Sequence, residues 1–252
     1  MAADGSVDLR SQLKLHLEAL QAAGVLFVPA MSNTPLRVMI TSAEISPHPP
    51  SEPPLDPLEV RGRSLAMLQE TVAKCDRCTE LFSTRMQAVF GTGPLDPEVA
   101  FVGEAPGPEE DAQGEPFVGK GGQLLGRIIA ACGFTREQVY LCNVIKCRPP
   151  KNRTPTATEC GNCRDYFRNQ FELVKPKYLV ALGTLASRLL AGQNAALPAL
   201  RGKVHEYRGV PLICTHHPDE IEKDTTGGKK RDTWEDMKLL LRTMGRSVPS
   251  GK

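Results

Sequence analysis

The chain has 252 residues, 40% of them hydrophobic, and a formal net charge of only +2 at pH 7. This length fits one α/β domain with a tail, and no run approaches the ~18 apolar residues that a membrane-spanning helix needs. Because the first residues lack the basic and then apolar order of a secretion signal, a cytoplasmic location is expected. With so small a net charge, any binding of nucleic acid must depend on local basic patches.

The N-terminal part of the chain differs in composition from the rest. Leu9, Leu13, Leu17 and Leu20 recur at helical spacing, which predicts an amphipathic helix within residues 1–28. Residues 29–58 are rich in Pro and Ser and are predicted to be a flexible linker, because they offer too little apolar surface to bury. A compact domain is then predicted over residues 59–246, with a short tail at 247–252.

In the compact domain, apolar runs alternate with helical patterns. Helices are predicted at 60–74, 122–132, 158–173, 184–190 and 231–244, and buried strands at 99–102, 139–145, 178–182 and 210–214. This alternation predicts an α/β fold with a parallel sheet covered by helices on both faces. Ligands in such folds bind beyond the carboxyl ends of the strands, so the loops after residues 102, 145 and 214 are the candidate site.

Eight cysteines are many for a protein in a reducing compartment, where structural disulfides are rare. Cys75 and Cys78 form one C-x-x-C pair, Cys160 and Cys163 form a second, and Cys147 follows a predicted strand. The remaining three lie in apolar contexts and are expected in the core. The first five predict a four-thiolate metal site with one cysteine to spare, and spacing alone leaves both zinc and a [4Fe–4S] cluster open.

A loop rich in Gly and Pro follows the first strand and reads FVGEAPGPEEDAQGEPFVGKGGQLL. It contains neither the G-K-[ST] of a P-loop nor a G-x-G-x-x-G fingerprint, so it is a ligand loop of another kind. Glu104 stands out among its carboxylates because it directly follows a predicted strand. Phe117 is either a core anchor or a platform on which a flat ring stacks.

Two further polar positions stand out at predicted strand ends. Asn143 lies inside the apolar run VYLCNVI, and its amide offers the donors and the acceptor that match the edge of a base. His216 and His217 precede Pro218 just after the last strand. Either histidine is a structural residue or a donor to a developing oxyanion.

These residues together resemble a known family. GEAPGPEEDAQGEPFVGKGGQLL, NVIKCRPPKNRTPT and THHP follow a C-x-x-C pair in the order found in the family 4 uracil-DNA glycosylases, over about residues 60–245. The resemblance implies an α/β/α sandwich with a central four-stranded parallel sheet. It also implies a monomeric DNA repair enzyme that excises uracil from double- and single-stranded DNA and leaves an abasic site.

The resemblance also implies the roles of particular residues. The ligands of a structural [4Fe–4S] cluster would be Cys75, Cys78, Cys147 and Cys163, with Cys160 the spare. The catalytic residues would be Glu104, Asn152 and His217. The residues in contact with uracil would be Gly103, Ala105, Glu110, Phe117 and Asn143. Among these, Phe117 would stack on the base, Asn143 would read its polar edge, and Glu110 would exclude thymine by obstructing the C5 face.

The segment after THHP departs from the family pattern. It reads DEIEKDTTGGKKRDTWEDM, and its early acidic residues are unfavourable near phosphates. Ile221 is the candidate for an apolar wedge in the minor groove, and the basic run that begins at Lys229 is the candidate phosphate contact. The alternative to an enzyme is a non-catalytic iron–sulfur or zinc protein that binds nucleic acid, which would leave the GEAPG loop and Asn143 without a role.

Overall fold

The computed structural model describes residues 56–249, so the helix predicted within 1–28 and all but the end of the linker lie outside the described residues. The helices are α1 (Pro57–Ala73), α2 (Thr79–Thr84), α3 (Pro108–Gln113), α4 (Lys120–Ala131), α5 (Ala157–Val174), α6 (Thr184–Ala191), α7 (Leu197–Leu200), α8 (Pro218–Glu222) and α9 (Gly228–Thr243). The strands are β1 (Val99–Gly103), β2 (Tyr140–Asn143), β3 (Tyr178–Leu182), β4 (Val204–Tyr207) and β5 (Val210–Thr215). Single 3₁₀ turns lie at Arg136–Gln138 and Pro150–Asn152.

The strands form one sheet in the order β2-β1-β3-β5-β4. The four predicted strands are parallel to one another, as expected, and β1 is buried along its whole length. The expectation of four strands is corrected by a fifth, β4, which pairs antiparallel with β5 at the sheet edge. The two strands are joined only by a tight turn of Arg208 and Gly209, and both of these residues have positive φ.

Two apolar cores lie on opposite faces of the sheet and give the α/β/α sandwich. One core packs α5 and α6 against the sheet through residues such as Phe167 and Leu190. The other packs α4 and α9 through residues such as Leu125 and Met237. The predicted fold class is therefore confirmed. No helix between residues 56 and 249 is long and apolar enough to cross a membrane.

Helix α1 begins before the predicted domain boundary at residue 59. The side chain of Asp56 caps it by accepting a hydrogen bond from the Leu58 amide at 2.9 Å, and Pro57 occupies the first turn, where its missing N–H costs nothing. The end of the predicted linker, residues 57 and 58, is therefore helical. Helix α1 packs against α5, which ties it to the domain.

The carboxyl ends of the four parallel strands meet at one edge of the sheet. Gly103 at the end of β1 lies beside Asn143 at the end of β2, and Leu182 of β3 lies beside Thr215 of β5. The loops that follow these strands therefore converge at the place where this fold class binds ligands.

Candidate active site

A glycine forms the floor of the site. A Cβ atom built on Gly103 would lie 2.6 Å from Cζ of Phe117 and still closer to Oδ1 of Asn143, so any larger residue would collide with both. The missing side chain allows an amide and an aromatic ring, 26 residues apart in sequence, to approach the same strand end. The structure thus brings together three of the predicted uracil contacts.

Asn143 is buried, with 2% of its surface exposed, and its Oδ1 has no hydrogen-bond partner within residues 56–249. A buried acceptor without a partner costs about 1–3 kcal/mol, so such groups normally receive a donor from a ligand or an ordered water. The backbone carbonyl of Asn143 is held by Nζ of Lys146 at 2.8 Å. The amide therefore sits on a fixed backbone with one acceptor available.

Phe117 is a core anchor, and the stacking of a base on its ring stays a prediction. Its ring belongs to the core on the α4 side of the sheet, and its centroid is 6.3 Å from that of His217. Its φ of +56° is unusual for an aromatic residue. A side chain at position 122 would overlap the backbone of Phe117, so only glycine fits there. The close contact between Gly122 and this backbone holds the strained turn in place.

Glu104 lies at the junction of β1, α6 and the loop after β5. Its Oε1 accepts a hydrogen bond from the Leu185 amide at 2.8 Å, and a Cβ atom on Gly183 would lie only 2.5 Å from the same oxygen. The pKa of Glu104 is raised overall, and burial is the largest cause. The hydrogen bond from Leu185 and the nearby His217 lower this pKa, and Glu220 raises it. The carboxylate is thus held in a partly dehydrated position, where its charge has a strong effect on a neighbouring group.

The two adjacent histidines have different surroundings. The Nδ1 atom of His217 accepts a hydrogen bond from the Asp219 amide at 3.3 Å and caps α8. This assignment places the proton of the neutral ring on Nε2, which makes that nitrogen a donor. His216 is buried, with its ring nitrogens 3.4 Å from Asp232 and 3.8 Å from Glu220, so it belongs to the packing of α8 and α9.

An open cleft of about 700 Å³ lies beside the residues at the ends of the strands. The predicted site residues on its wall are Glu104, Ala105, Glu110, Asn152 and His217. Gly103, Phe117 and Asn143 do not line it. They form an inner group, which meets the cleft where Gly103 joins Glu104 and where the ring of Phe117 faces His217.

Two predicted residues on the cleft wall have clear local partners. The carboxylate of Glu110 accepts hydrogen bonds from the amides of Gly107, Val118 and Gly119, each at 3.0 Å, and so braces the loop that presents Phe117. Asn152 has a φ of +54°, and its Oδ1 accepts a hydrogen bond from Nε of Arg148 at 2.8 Å. The steric role predicted for Glu110 stays a prediction.

The cysteines of the predicted metal site come from three segments. Cys75 and Cys78 lie between α1 and α2, Cys147 follows β2, and Cys163 lies on α5. Burial raises the pKa of the Cys147 thiol to about 11, Arg85 acts in the opposite direction, and Cys163 and Cys75 raise it further. Cys78, Cys147 and Cys163 pack in the same core. Nη1 of Arg85 donates to Sγ of Cys147 at 2.7 Å.

Four thiolates can hold either a single zinc ion or a [4Fe–4S] cluster. A single zinc ion with Zn–S bonds of ~2.3 Å would draw its sulfur atoms to about 3.8 Å from one another. Within residues 56–249, no three side chains of His, Cys, Asp or Glu are gathered closely enough to hold one ion. Cys160 lies on the wall of a different groove, between α5 and α6.

The expectation for Ile221 as an apolar wedge is not met by the structure. Its side chain is 6% exposed because α8 packs it towards α4 and α9, where it borders Trp234 and Met237. Lys229, the first of the predicted phosphate contacts, forms an exposed ion pair with Glu220 at 3.3 Å, and its contact with phosphate stays a prediction.

Sequence reasoning missed two buried polar residues that organise the site. Lys146 is 1% exposed and donates to the carbonyls of Phe90 and Asn143 and to Oε1 of Gln170, the last at 2.5 Å. Asp111 is 1% exposed, and its Oδ1 accepts from the amides of Met86 and Gln87. The lysine in the apolar run NVIKC was a possible signal, but nothing in the acidic run around Asp111 distinguishes it from a solvated residue.

The fold and the site define a member of the uracil DNA glycosylase superfamily, and the model of that family matches residues 90–238. The chain is 39% identical over 179 residues to the type-4 uracil-DNA glycosylase of Thermotoga maritima. The matched residues make up 70% of this chain and 93% of that protein. It is 39% identical over 166 residues to the type-4 enzyme of Archaeoglobus fulgidus, which covers 63% of this chain and 83% of the relative. A type-5 uracil-DNA glycosylase of Pyrobaculum aerophilum matches over only 91 residues, 34% of this chain and 39% of that protein, at 40% identity. The chain belongs to the type-4 uracil-DNA glycosylases.

Proposed function

We propose that this protein is a DNA repair enzyme that excises uracil by hydrolysing its N-glycosidic bond and leaves an abasic site. The observation that carries the proposal is the buried Oδ1 of Asn143, which lies beside the ring of Phe117 and has no hydrogen-bond partner in the described part of the chain. Such an acceptor next to a flat apolar surface fits the edge and the face of a base. The names of the type-4 relatives support uracil as that base.

The inner group of residues would bind a nucleotide that has been flipped out of the DNA. Uracil inside a duplex is stacked and inaccessible, so the enzyme must extrude it or act on a single strand. The base would stack on Phe117, while the Asn143 amide would accept from N3–H and donate to O4. Cytosine presents the reverse pattern and would be rejected. Gly103 and Ala105 would let the base approach the backbone, and Glu110 would hold the loop that excludes a C5 methyl group.

The outer residues would support the chemical step. Breaking the C–N bond builds negative charge on uracil and positive charge on the sugar. His217 would donate from Nε2 to the uracil oxygen, since its Nδ1 is engaged by the Asp219 amide. The carboxylate of Glu104 would stabilise the sugar cation, and together with Asn152 it would position the attacking water.

We also propose that Cys75, Cys78, Cys147 and Cys163 hold a [4Fe–4S] cluster. Four thiols from three segments form the donor set that such a cluster requires, and the likeness to the type-4 relatives favours the cluster over a single zinc ion. The cations Arg85 and Lys146 lie beside these cysteines and would offset the negative charge of four thiolates. When bound, the cluster would cross-link the α1–α2 segment, the loop after β2 and α5. A cytoplasmic location and a monomeric state stay predictions.

Release of uracil under single-turnover conditions tests the proposed function. Single-stranded and duplex oligonucleotides with one uracil should both yield free uracil and an alkali-labile abasic site, and matched oligonucleotides with cytosine or thymine should yield neither. If the pure, metal-loaded protein binds these oligonucleotides but releases nothing, the proposal is wrong and a non-catalytic nucleic-acid-binding protein is the better description.

A further inference from the structure

Because Ile221 is buried, the proposed reaction lacks a residue that fills the gap left in the duplex by the flipped nucleotide. When a nucleotide leaves the stack, the gap in the duplex is commonly filled by an apolar side chain that wedges between base steps. Ile221 packs in the groove between α4 and α9, so it cannot enter DNA without unpacking α8. A different side chain near the cleft is therefore the better candidate for this task if duplex DNA is a substrate.

We propose that Met86 is this wedge, an inference that rests on the proposed function. The side chain of Met86 is 74% exposed, more than any other large apolar side chain of residues 56–249. The exposed apolar surface of Met86 would leave water if the group entered a base stack, a transfer that the hydrophobic effect favours. The unbranched thioether of methionine also adapts well to an irregular gap.

The backbone that presents Met86 is rigid, although the side chain is free. Oδ1 of Asp111, a carboxylate that is 1% exposed, accepts from the amide of Met86 at 3.0 Å and from that of Gln87 at 3.4 Å. The side chain of Gln87 donates to the carbonyl of Ala112 at 2.9 Å. A buried carboxylate that fixes an exposed loop is explained if the loop must keep its position when DNA presses against it.

The same contacts place Met86 beside the cleft. Glu109 and Glu110 of α3 line the cleft, and Asp111 is the next residue on that helix. Because a helix with its side chains is about 10 Å across, the Met86 loop lies on the order of 10 Å from the cleft wall. Arg148 extends the connection, with Nη1 4.0 Å from Asp111 and Nε 2.8 Å from Oδ1 of Asn152.

Carboxylates line both walls of the cleft, with Asp219, Glu220 and Glu222 on α8 and Glu109 and Glu110 on α3. Arg148, whose Nη1 lies 4.0 Å from Asp111, is a cation on the Met86 side that can bind a phosphate. Phosphates bind where basic residues neutralise them and avoid carboxylates. A duplex bound on this side would bring its stack against the exposed thioether.

Comparing duplex with single-stranded DNA isolates the wedge. In Met86→Ala, single-turnover excision from a uracil duplex should slow by about tenfold or more, while excision from the same strand alone should stay within about twofold of the unchanged protein. Only the duplex requires a gap to be filled, and Met86→Leu should restore most of the duplex rate. Met67→Ala is the matched control, because Met67 is 68% exposed on α1, and it should change neither rate.

The outcomes separate this inference from the proposed function. If Met86→Ala slows both substrates equally, or neither, Met86 is not a wedge even though uracil is excised. If the unchanged protein releases no uracil from single strands, the proposed function itself fails. The melting temperature of Met86→Ala should match that of the unchanged protein, since the side chain packs little, and a large loss would overturn the inference.

Discussion

Asn143 and Glu104 are polar side chains that the fold holds at the ends of buried strands, where water is largely excluded. Among residues 56–249, Asn143 finds no partner for Oδ1, and Glu104 has an amide hydrogen bond that offsets only part of its dehydration. At both positions an apolar residue would pack with less cost. Their placement is explained by groups that arrive with the substrate: the imide N–H of uracil for Asn143 and the developing sugar cation for Glu104.

Replacing Asn143 should affect the chemical step far more than DNA binding. Asn143→Ala and Asn143→Asp both remove the donor to O4, and the aspartate adds a charge beside an oxygen that becomes more negative in the transition state. Losing one such donor costs ~10²–10³ in rate. Single-turnover excision should show this loss, while a binding titration stays within a few-fold of the unchanged protein. Near-normal excision by Asn143→Ala would mean that Asn143 is only a structural strand residue.

The acidic limb of the pH–rate profile should report Glu104. Because burial raises its pKa, the active carboxylate should be lost at a pH above the usual glutamate value of 4.5. A raised pKa in the folded state also means that ionisation destabilises the fold. Glu104→Gln should therefore be more stable than the unchanged protein above the raised pKa, and this advantage should disappear below the pKa of an unfolded glutamate. Excision rates and melting temperatures measured across pH 4 to 8 check the two predictions. If the excision rate falls at the pKa of an ordinary glutamate, the role proposed for Glu104 is wrong.

At the scale of elements, packing decides which cysteines lie together. Helix α1 packs on α5, and this contact brings the C-x-x-C pair after α1 towards Cys163 of α5 and Cys147 after β2. Cys160 and Cys163 lie three residues apart on α5 and pack against the same core, but Cys160 also borders the groove near α6.

Substitution of single cysteines should separate ligands from the spare. Cys75→Ala, Cys78→Ala, Cys147→Ala and Cys163→Ala should each lose brown colour, iron and solubility, because one missing ligand exposes the cluster. Cys160→Ala, the control from the same C-x-x-C pair, should keep about four irons per chain. Visible absorbance and metal analysis measure this. A colourless but active protein with one zinc per chain would refute the cluster.

The predictability of an element depends on how strongly burial marks its sequence. The four parallel strands were predictable because residues such as those of β1 are buried on both faces and form apolar runs. Strand β4 reads VHEY and is half-exposed at an edge, so no such run exists. Helices α3 and α8 are short and acidic, and their sequences resemble a solvated loop. The burial of Ile221 followed from α8 and could not be read from the sequence.

At the scale of the whole molecule, the strand-end rule located the site, but the sequence did not contain its contacts. Glu104, Asn143 and His217 all follow or end strands, as expected. The approach of Phe117 to Asn143 depends on the positive φ of Phe117 and on the empty space at Gly103, neither of which has a sequence pattern. The [4Fe–4S] prediction depended on family resemblance for the same reason, since cysteine spacing fits more than one metal.

Both cores and the site are formed within residues 56–249, so the preceding segment should be dispensable for excision. A shortened protein of residues 56–252 should keep its colour and excise uracil within a few-fold of the full chain. One that starts at residue 59 loses the Asp56 cap and should be about 1 kcal/mol less stable. Thermal melting compares the two. If the 56–252 protein is folded but inactive, the N-terminal segment has a role in the reaction.

The unpaired oxygen of Asn143 has a consequence for laboratory evolution. Removing a buried unsatisfied acceptor gains about 1–3 kcal/mol, comparable to the gain from relaxing a strained backbone position such as Phe117. A library selected only for heat resistance would therefore enrich apolar substitutions at residue 143 and neutral ones at residue 104, and its most heat-resistant survivors would be catalytically dead. Selection for stability in this protein must be coupled at every round to survival of the reaction.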